Sequence, residues 1–195
     1  MGLRDILTGR HQVKDPAPDR LFAISTAYVA LQSEHQIDPT GSAAIVFQSL
    51  ATSDFESTLK DMEEVVTATG GDSGTSVSTE DDSFGYRWMI LRKAPGAASV
   101  EDLAVGINAV SGSIETAGYG ERLLCAVFAF TDAQKRRVYF IYNYKRGYWY
   151  PFVPAPGDAQ ERSTERELQL KAQIATEMPI EPELERWFPL WGIPI

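Results

Sequence analysis

Leu123-Leu124-Cys125-Ala126-Val127-Phe128-Ala129-Phe130-Thr131-Asp132-Ala133-Gln134-Lys135-Arg136-Arg137-Val138-Tyr139-Phe140-Ile141-Tyr142-Asn143-Tyr144-Lys145 is the stretch that decides the fold. Aromatic and aliphatic residues fill it on both sides of Asp132-Ala133-Gln134-Lys135, whose polar composition suits a turn. The pattern predicts two long strands, 123–130 and 136–145, folded back on one another as an antiparallel hairpin. In the second of them Val138, Phe140, Tyr142 and Tyr144 share one face, the period-2 signature of a strand with an apolar side.

Upstream of the hairpin, residues 99–117 read as a helix. Ser99 is placed to cap it, Glu101 and Asp102 favour the positive end of its dipole, and Val100, Leu103, Ile107, Val110 and Ile114 form its stripe. Gly118 supplies the stop. Before it, 76–79 and 84–92 read as strands joined by the acidic turn Glu80-Asp81-Asp82, with Phe84, Tyr86, Trp88 and Ile90 alternating on one face. A helix from Ser53 to Gly70 is expected to open on a capping box with Glu56 and to bury Phe55, Leu59, Met62, Val65 and Val66. Earlier still come a short strand at 43–47, a turn at Asp38-Pro39-Thr40-Gly41, and a helix at 19–36. Downstream, 148–152 adds a short strand, and 163–176 forms a charged helix whose stripe is Leu168, Leu170, Ile174 and Ala175. The order predicts an α+β fold with a mostly antiparallel sheet and packed helices. Setting aside the helix at 53–70, it resembles the arrangement of type III secretion chaperones and YbjN-like proteins. Three parts follow: residues 1–18 as an amphipathic segment and linker, 19–177 as one α+β domain, and 178–195 as a Pro/Trp-rich clasp.

Composition removes several function classes. The chain has 195 residues with 18 Lys+Arg against 27 Asp+Glu, a formal charge of −9, and 44% apolar residues, enough for a core. A polyanion repels phosphate backbones and anionic lipid, so nucleic acid is not an expected partner. Cys125 cannot form an internal disulfide and sits in an apolar run, which suits a buried thiol. His11 and His35 stand alone, and Glu80-Asp81-Asp82 reads as a solvated turn, so no metal site is expected. The glycine clusters at 70–74 and 118–120 lack the strand, loop, helix order of a phosphate cradle. No nucleophile elbow or zinc-binding helix occurs either. No catalytic residue and no cofactor is therefore named. No apolar run reaches 18 residues and the first ten lack a signal-peptide pattern, so neither a membrane span nor secretion is expected, and a cytoplasmic location is. Met1, Leu3, Ile6 and Leu7 oppose Arg4 and Arg10 in a short amphipathic start that suits docking on protein better than on bilayer.

Two segments are unusual. Tyr144-Lys145-Arg146-Gly147-Tyr148-Trp149-Tyr150-Pro151-Phe152 packs five aromatics and two cations into nine residues. Its rings either finish the core or form a recognition patch, since Tyr, Trp and Arg dominate binding hot spots. The ending, Glu185-Arg186-Trp187-Phe188-Pro189-Leu190-Trp191-Gly192-Ile193-Pro194, is too aromatic for a frayed terminus. It either folds back over the domain or docks on a partner or second subunit. The candidate protein-binding residues are Lys145, Arg146, Tyr148, Trp149, Tyr150, Phe152, Arg186, Trp187, Phe188 and Trp191.

These two segments, together with Met1-Gly2-Leu3-Arg4-Asp5-Ile6-Leu7, Asp38-Pro39-Thr40-Gly41 and Leu123-Leu124-Cys125, resemble the PspAB family, phage-shock-protein-A-associated proteins of actinobacteria and haloarchaea. The resemblance runs nearly end to end. It implies a cytoplasmic adaptor or regulator in an envelope-stress response centred on the membrane-associated protein PspA, reaching the inner face of the membrane through its partner. The implied partners are a PspA-like protein or a membrane metalloprotease system, with a homodimer also open. A chaperone-like binder of another cytoplasmic client is the second reading and an uncharacterised enzyme the third.

Overall fold

The structure, a computed structural model, describes residues 18–71, 74–94, 99–157 and 160–195. Residues 1–17 of the expected N-terminal segment and the side chain of Val65 lie outside that description. A single helical turn, Pro18–Leu21, leads into α1 (Ile24–His35), β1 (Asp38–Gln48), α2 (Ser53–Gly71), β2 (Thr75–Asp81) and β3 (Tyr86–Lys93). Then follow α3 (Val100–Thr116), β4 (Leu123–Thr131), β5 (Arg137–Asn143), β6 (Tyr148–Phe152) and α4 (Thr164–Ile174). The six strands make one sheet in the order β2-β3-β1-β4-β5-β6, antiparallel at every pairing. The fold is α+β, and β4 and β5 form the hairpin expected at 123–145.

β1 is the spine. It pairs with β3 on one side and β4 on the other, and Ala43 through Phe47 are buried. β3 and β4 therefore run in the same direction, and the chain between them has to recross the sheet. α3 makes that crossing, capped by Ser99, whose hydroxyl accepts from the Asp102 N–H at 3.1 Å. It ends where Gly118, at φ 85°, lets the Tyr119 N–H reach the Ile114 carbonyl at 2.9 Å. α3 lies close to the sheet: a Cβ on Gly106 would collide with the Leu91 side chain.

One face of the sheet packs on the helices. Ile45, Phe47, Met89, Leu91, Phe128, Phe130, Phe140 and Tyr142 meet Leu31 of α1, Phe55 of α2, Ile107 of α3 and Leu170 of α4 in one apolar cluster. The other face presents Val46, Trp88, Ile90, Cys125, Val127, Tyr139, Ile141, Tyr150 and Phe152. Among the described residues no helix covers it. The C-terminal tail does, with Trp187, Leu190, Trp191, Ile193 and Ile195. The tail first runs beside β6, where Trp149 donates its N–H to the Pro179 carbonyl and accepts from the Glu181 N–H, 2.9 and 2.8 Å. It then turns at Leu184–Arg186 and crosses the face.

Local expectations differ from the structure at several places. Of the stripe expected for α4, Leu168 and Ala175 are exposed, and Glu167 is buried beside Leu170 and Ile174, where Arg162 pairs with it. Glu80 and Asp81 belong to β2 rather than to the turn. The helix expected over 19–36 is interrupted by a turn at 22–23. Asp38-Pro39-Thr40-Gly41 is not a turn but the start of β1. There β1 pairs only with β4, so the missing Pro39 N–H breaks no ladder toward β3, and a register shift between Pro39 and Ser42 absorbs Gly41 at φ 79°. The capping box at Ser53 does not form, because the Glu56 carboxylate is taken by Arg87 at 2.8 Å. Phe84 belongs to the β2–β3 turn, not to β3, because the Asp82 carboxylate accepts from the Phe84 and Tyr86 N–H groups at 2.8 and 2.9 Å and tightens the chain there.

Candidate functional site

The tail does not close the whole second face. At the end of the sheet where β1 finishes and β3 and β4 begin, a cleft of about 400 Å³ remains between the tail and the β2–β3 turn. Its floor is one row of paired residues across four strands: Trp88, Val46, Cys125 and Asn143. One wall comes from Asp82, Phe84 and Tyr86, the other from Tyr150 and the tail residues Phe188, Pro189, Leu190 and Trp191. Leu124 and Lys145 complete it.

Two segments far apart in sequence thus meet here. Of the ten residues singled out from the sequence, Lys145, Tyr150, Phe188 and Trp191 line the cleft. The remaining six fix the segments in place. Trp149 is buried among the helix-side rings and donates its indole N–H to the Arg20 carbonyl at 2.6 Å. Arg20 in turn sits over the Tyr148 ring, 5.0 Å from its centroid. Arg146 pairs with Glu181 at 2.7 Å and Glu183 at 3.2 Å, and Arg186 pairs with Glu183 at 2.8 Å. Phe152 and Trp191 meet edge to face at 5.2 Å, and Trp187 stacks on Tyr150 at 6.3 Å. Arg162 holds the Trp187 carbonyl at 2.5 Å, and the Tyr150 hydroxyl donates to the Phe188 carbonyl at 3.1 Å.

The polar groups of the cleft differ in how they are occupied. The Asp82 carboxylate accepts from the Phe84 and Tyr86 N–H groups and from the Trp88 indole N–H at 2.9 Å. Burial pushes the Cys125 thiol up to about 12, so it stays protonated at neutral pH. Lys145 is exposed and makes no ion pair among the described residues. The Asn143 Oδ1 is buried without a hydrogen-bond donor. Trp88, Trp149 and Trp187 each donate their indole N–H within the protein, whereas Trp191 makes no hydrogen bond through its ring among the described residues. The rings flanking the opening are Phe84 and Phe188, 63% and 58% exposed. Such an arrangement can hold an apolar ligand and offer it a cation and an N–H donor. Of its titratable groups, the Asp82 carboxylate accepts three hydrogen bonds and the Cys125 thiol is neutral.

Sequence reasoning missed the wall formed by Asp82, Phe84 and Tyr86 and the floor residue Trp88. The alternation of Phe84, Tyr86 and Trp88 does show a shared face, but only the tertiary structure shows that this is the face the tail leaves partly open.

A family model described as PspA associated protein B (PspAB) matches residues 1–195, the whole chain. The chain belongs to that family. No curated protein and no solved structure matches it.

Proposed function

We propose that this PspAB protein is a non-enzymatic adaptor that binds a protein partner in a PspA-centred envelope-stress response, and that the cleft between the β2–β3 turn and the tail is where it binds. The family description, PspA associated protein B, supports a PspA-like protein as the partner. Support for binding through the cleft comes from one observation: the cation-bearing segment 144–152 and the aromatic tail converge on a single open apolar cleft flanked by exposed phenylalanines. Large rings around a desolvated centre with a polar rim are the makings of a binding hot spot. No helix among the described residues is long and apolar enough to cross a membrane, so contact with the membrane is assigned to the partner.

The test is capture of PspA by the full chain from cells that make both proteins. Phe188→Glu and Lys145→Glu change exposed side chains and are expected to leave the fold intact, which circular dichroism and thermal melts check. Each variant is expected to reduce PspA recovery at least tenfold. Equal recovery by the variants overturns the cleft, and no recovery by the unaltered chain overturns PspA as the partner.

A further inference from the structure

We infer that the cleft takes an extended, proline-containing segment of its partner in the polyproline II conformation, an assignment that rests on the cleft being the binding site. Six rings converge on it, those of Phe84, Tyr86, Trp88, Tyr150, Phe188 and Trp191. Aromatic ridges of this density suit pyrrolidine rings, which sit between them at little entropic cost because proline is already rigid.

The polar groups choose among backbone conformations. A helix consumes its own carbonyls in its i to i−4 bonds and leaves none along its middle for the Trp191 indole N–H or the Lys145 ammonium. An added β-strand needs an open sheet edge, whereas this cleft lies on a face, with its floor drawn from four strands. A polyproline II segment has no internal hydrogen bonds and presents every carbonyl as a free acceptor. Trp191 and Lys145, together with the Tyr86 hydroxyl and the Asn143 side-chain amide N–H, line the cleft, can donate to such carbonyls and have no acceptor or ion pair among the described residues. The buried Asn143 Oδ1 lacks a donor. A run of proline alone has no N–H to give it, so the segment must carry a non-proline residue between its prolines.

The probe is the capped ten-residue peptide PPLPPLPPLP, titrated into the full chain and followed by tryptophan fluorescence and amide chemical shifts. Its partner probe is GGLGGLGGLG, with the same leucines on a flexible backbone; a third is an amphipathic leucine/lysine helix. The proline peptide is expected to bind saturably, to shift Trp88, Leu124, Leu190 and Trp191, and to bind at least tenfold tighter than either comparison peptide. Trp191→Phe keeps the ring and removes the donor, and should weaken binding about fivefold, the worth of one hydrogen bond. Phe188→Ala, at an exposed position, should weaken it with no change in folding. Equal binding of the glycine peptide, tighter binding of the helix, absence of saturation, or an unaltered affinity in Trp191→Phe overturns the inference. If the proline peptide fails while Lys145→Glu still abolishes PspA capture, only the ligand class falls and the adaptor reading stands.

Discussion

The Glu167 side chain is 1% exposed and accepts from the Val153 N–H at 2.9 Å and from the Arg162 Nε–H at 2.8 Å. Burial raises its pKa, while Arg162 and the Val153 N–H pull the other way. Arg162 also grips the Trp187 carbonyl, so one guanidinium ties α4 to the tail. Arg162→Met removes the one cation that, among the described residues, pairs with this buried carboxylate, and should cost about 3–5 kcal/mol. Adding Glu167→Gln should return a large part of that loss, because no stranded charge remains. Chemical denaturation of both variants checks this, and a loss below about 1 kcal/mol for the single variant contradicts it. Asp132 is the pH-sensitive counterpart. Burial works against its ionisation but is outweighed by the N–H groups of Arg136 and Gln134 and by the Arg136 guanidinium, and its pKa falls below the ordinary 3.8. A depressed carboxylate stabilises the fold fully above its unfolded pKa and loses that contribution as pH falls through the lower folded value. Asp132→Asn should therefore cost about 2 kcal/mol at neutral pH. The gap between variant and parent should narrow as pH drops below about 3.8, in denaturation curves taken at pH 7 and pH 3.

Among the elements, the tail carries the sharpest contrast. Trp187 is 4% exposed and stacks on Tyr150, and its chain neighbour Phe188 stands 58% exposed. Trp187→Ala should cost about 3–5 kcal/mol by leaving a large cavity over the sheet, while Phe188→Ala should stay within about 0.5 kcal/mol. Similar losses for the two would contradict the packing described. The same contrast explains what the sequence could disclose. The β4–β5 hairpin and α3 were legible because their signals are local: a turn between two apolar runs, a Ser99 cap, a stripe closed by Gly118. The strand at Asp38 was hidden because a proline and a glycine look like a turn unless it is known that β1 pairs on one side only there. Half of the cleft was visible as rings beside cations in 144–152 and 186–191. Its other half, Phe84, Tyr86 and Trp88, was visible as a strand face. Whether that face is covered depends on contacts more than a hundred residues away along the chain, such as Arg92 donating to the Pro194 carbonyl at 2.9 Å.

At the scale of the whole molecule, one sheet separates two kinds of cover. Helices seal one face, while an irregular, proline-stiffened tail seals the other and leaves the cleft at its margin. The overall charge of −9 keeps polyanions away in bulk, yet the cleft carries an exposed Lys145, without an ion pair among the described residues, beside six rings. The proposed docking of a protein partner there would meet Lys145 and Asp82 as the cleft's charged side chains rather than the net negative field. Site-specific photo-crosslinking in cells that make PspA tests this most directly. A photoreactive phenylalanine analogue is placed at Phe188, and in a parallel chain at Leu168, which is 40% exposed on α4. Binding at the cleft predicts a crosslink to PspA from position 188 and none from 168. Crosslinking from 168 as readily as from 188, or none from 188, would contradict it.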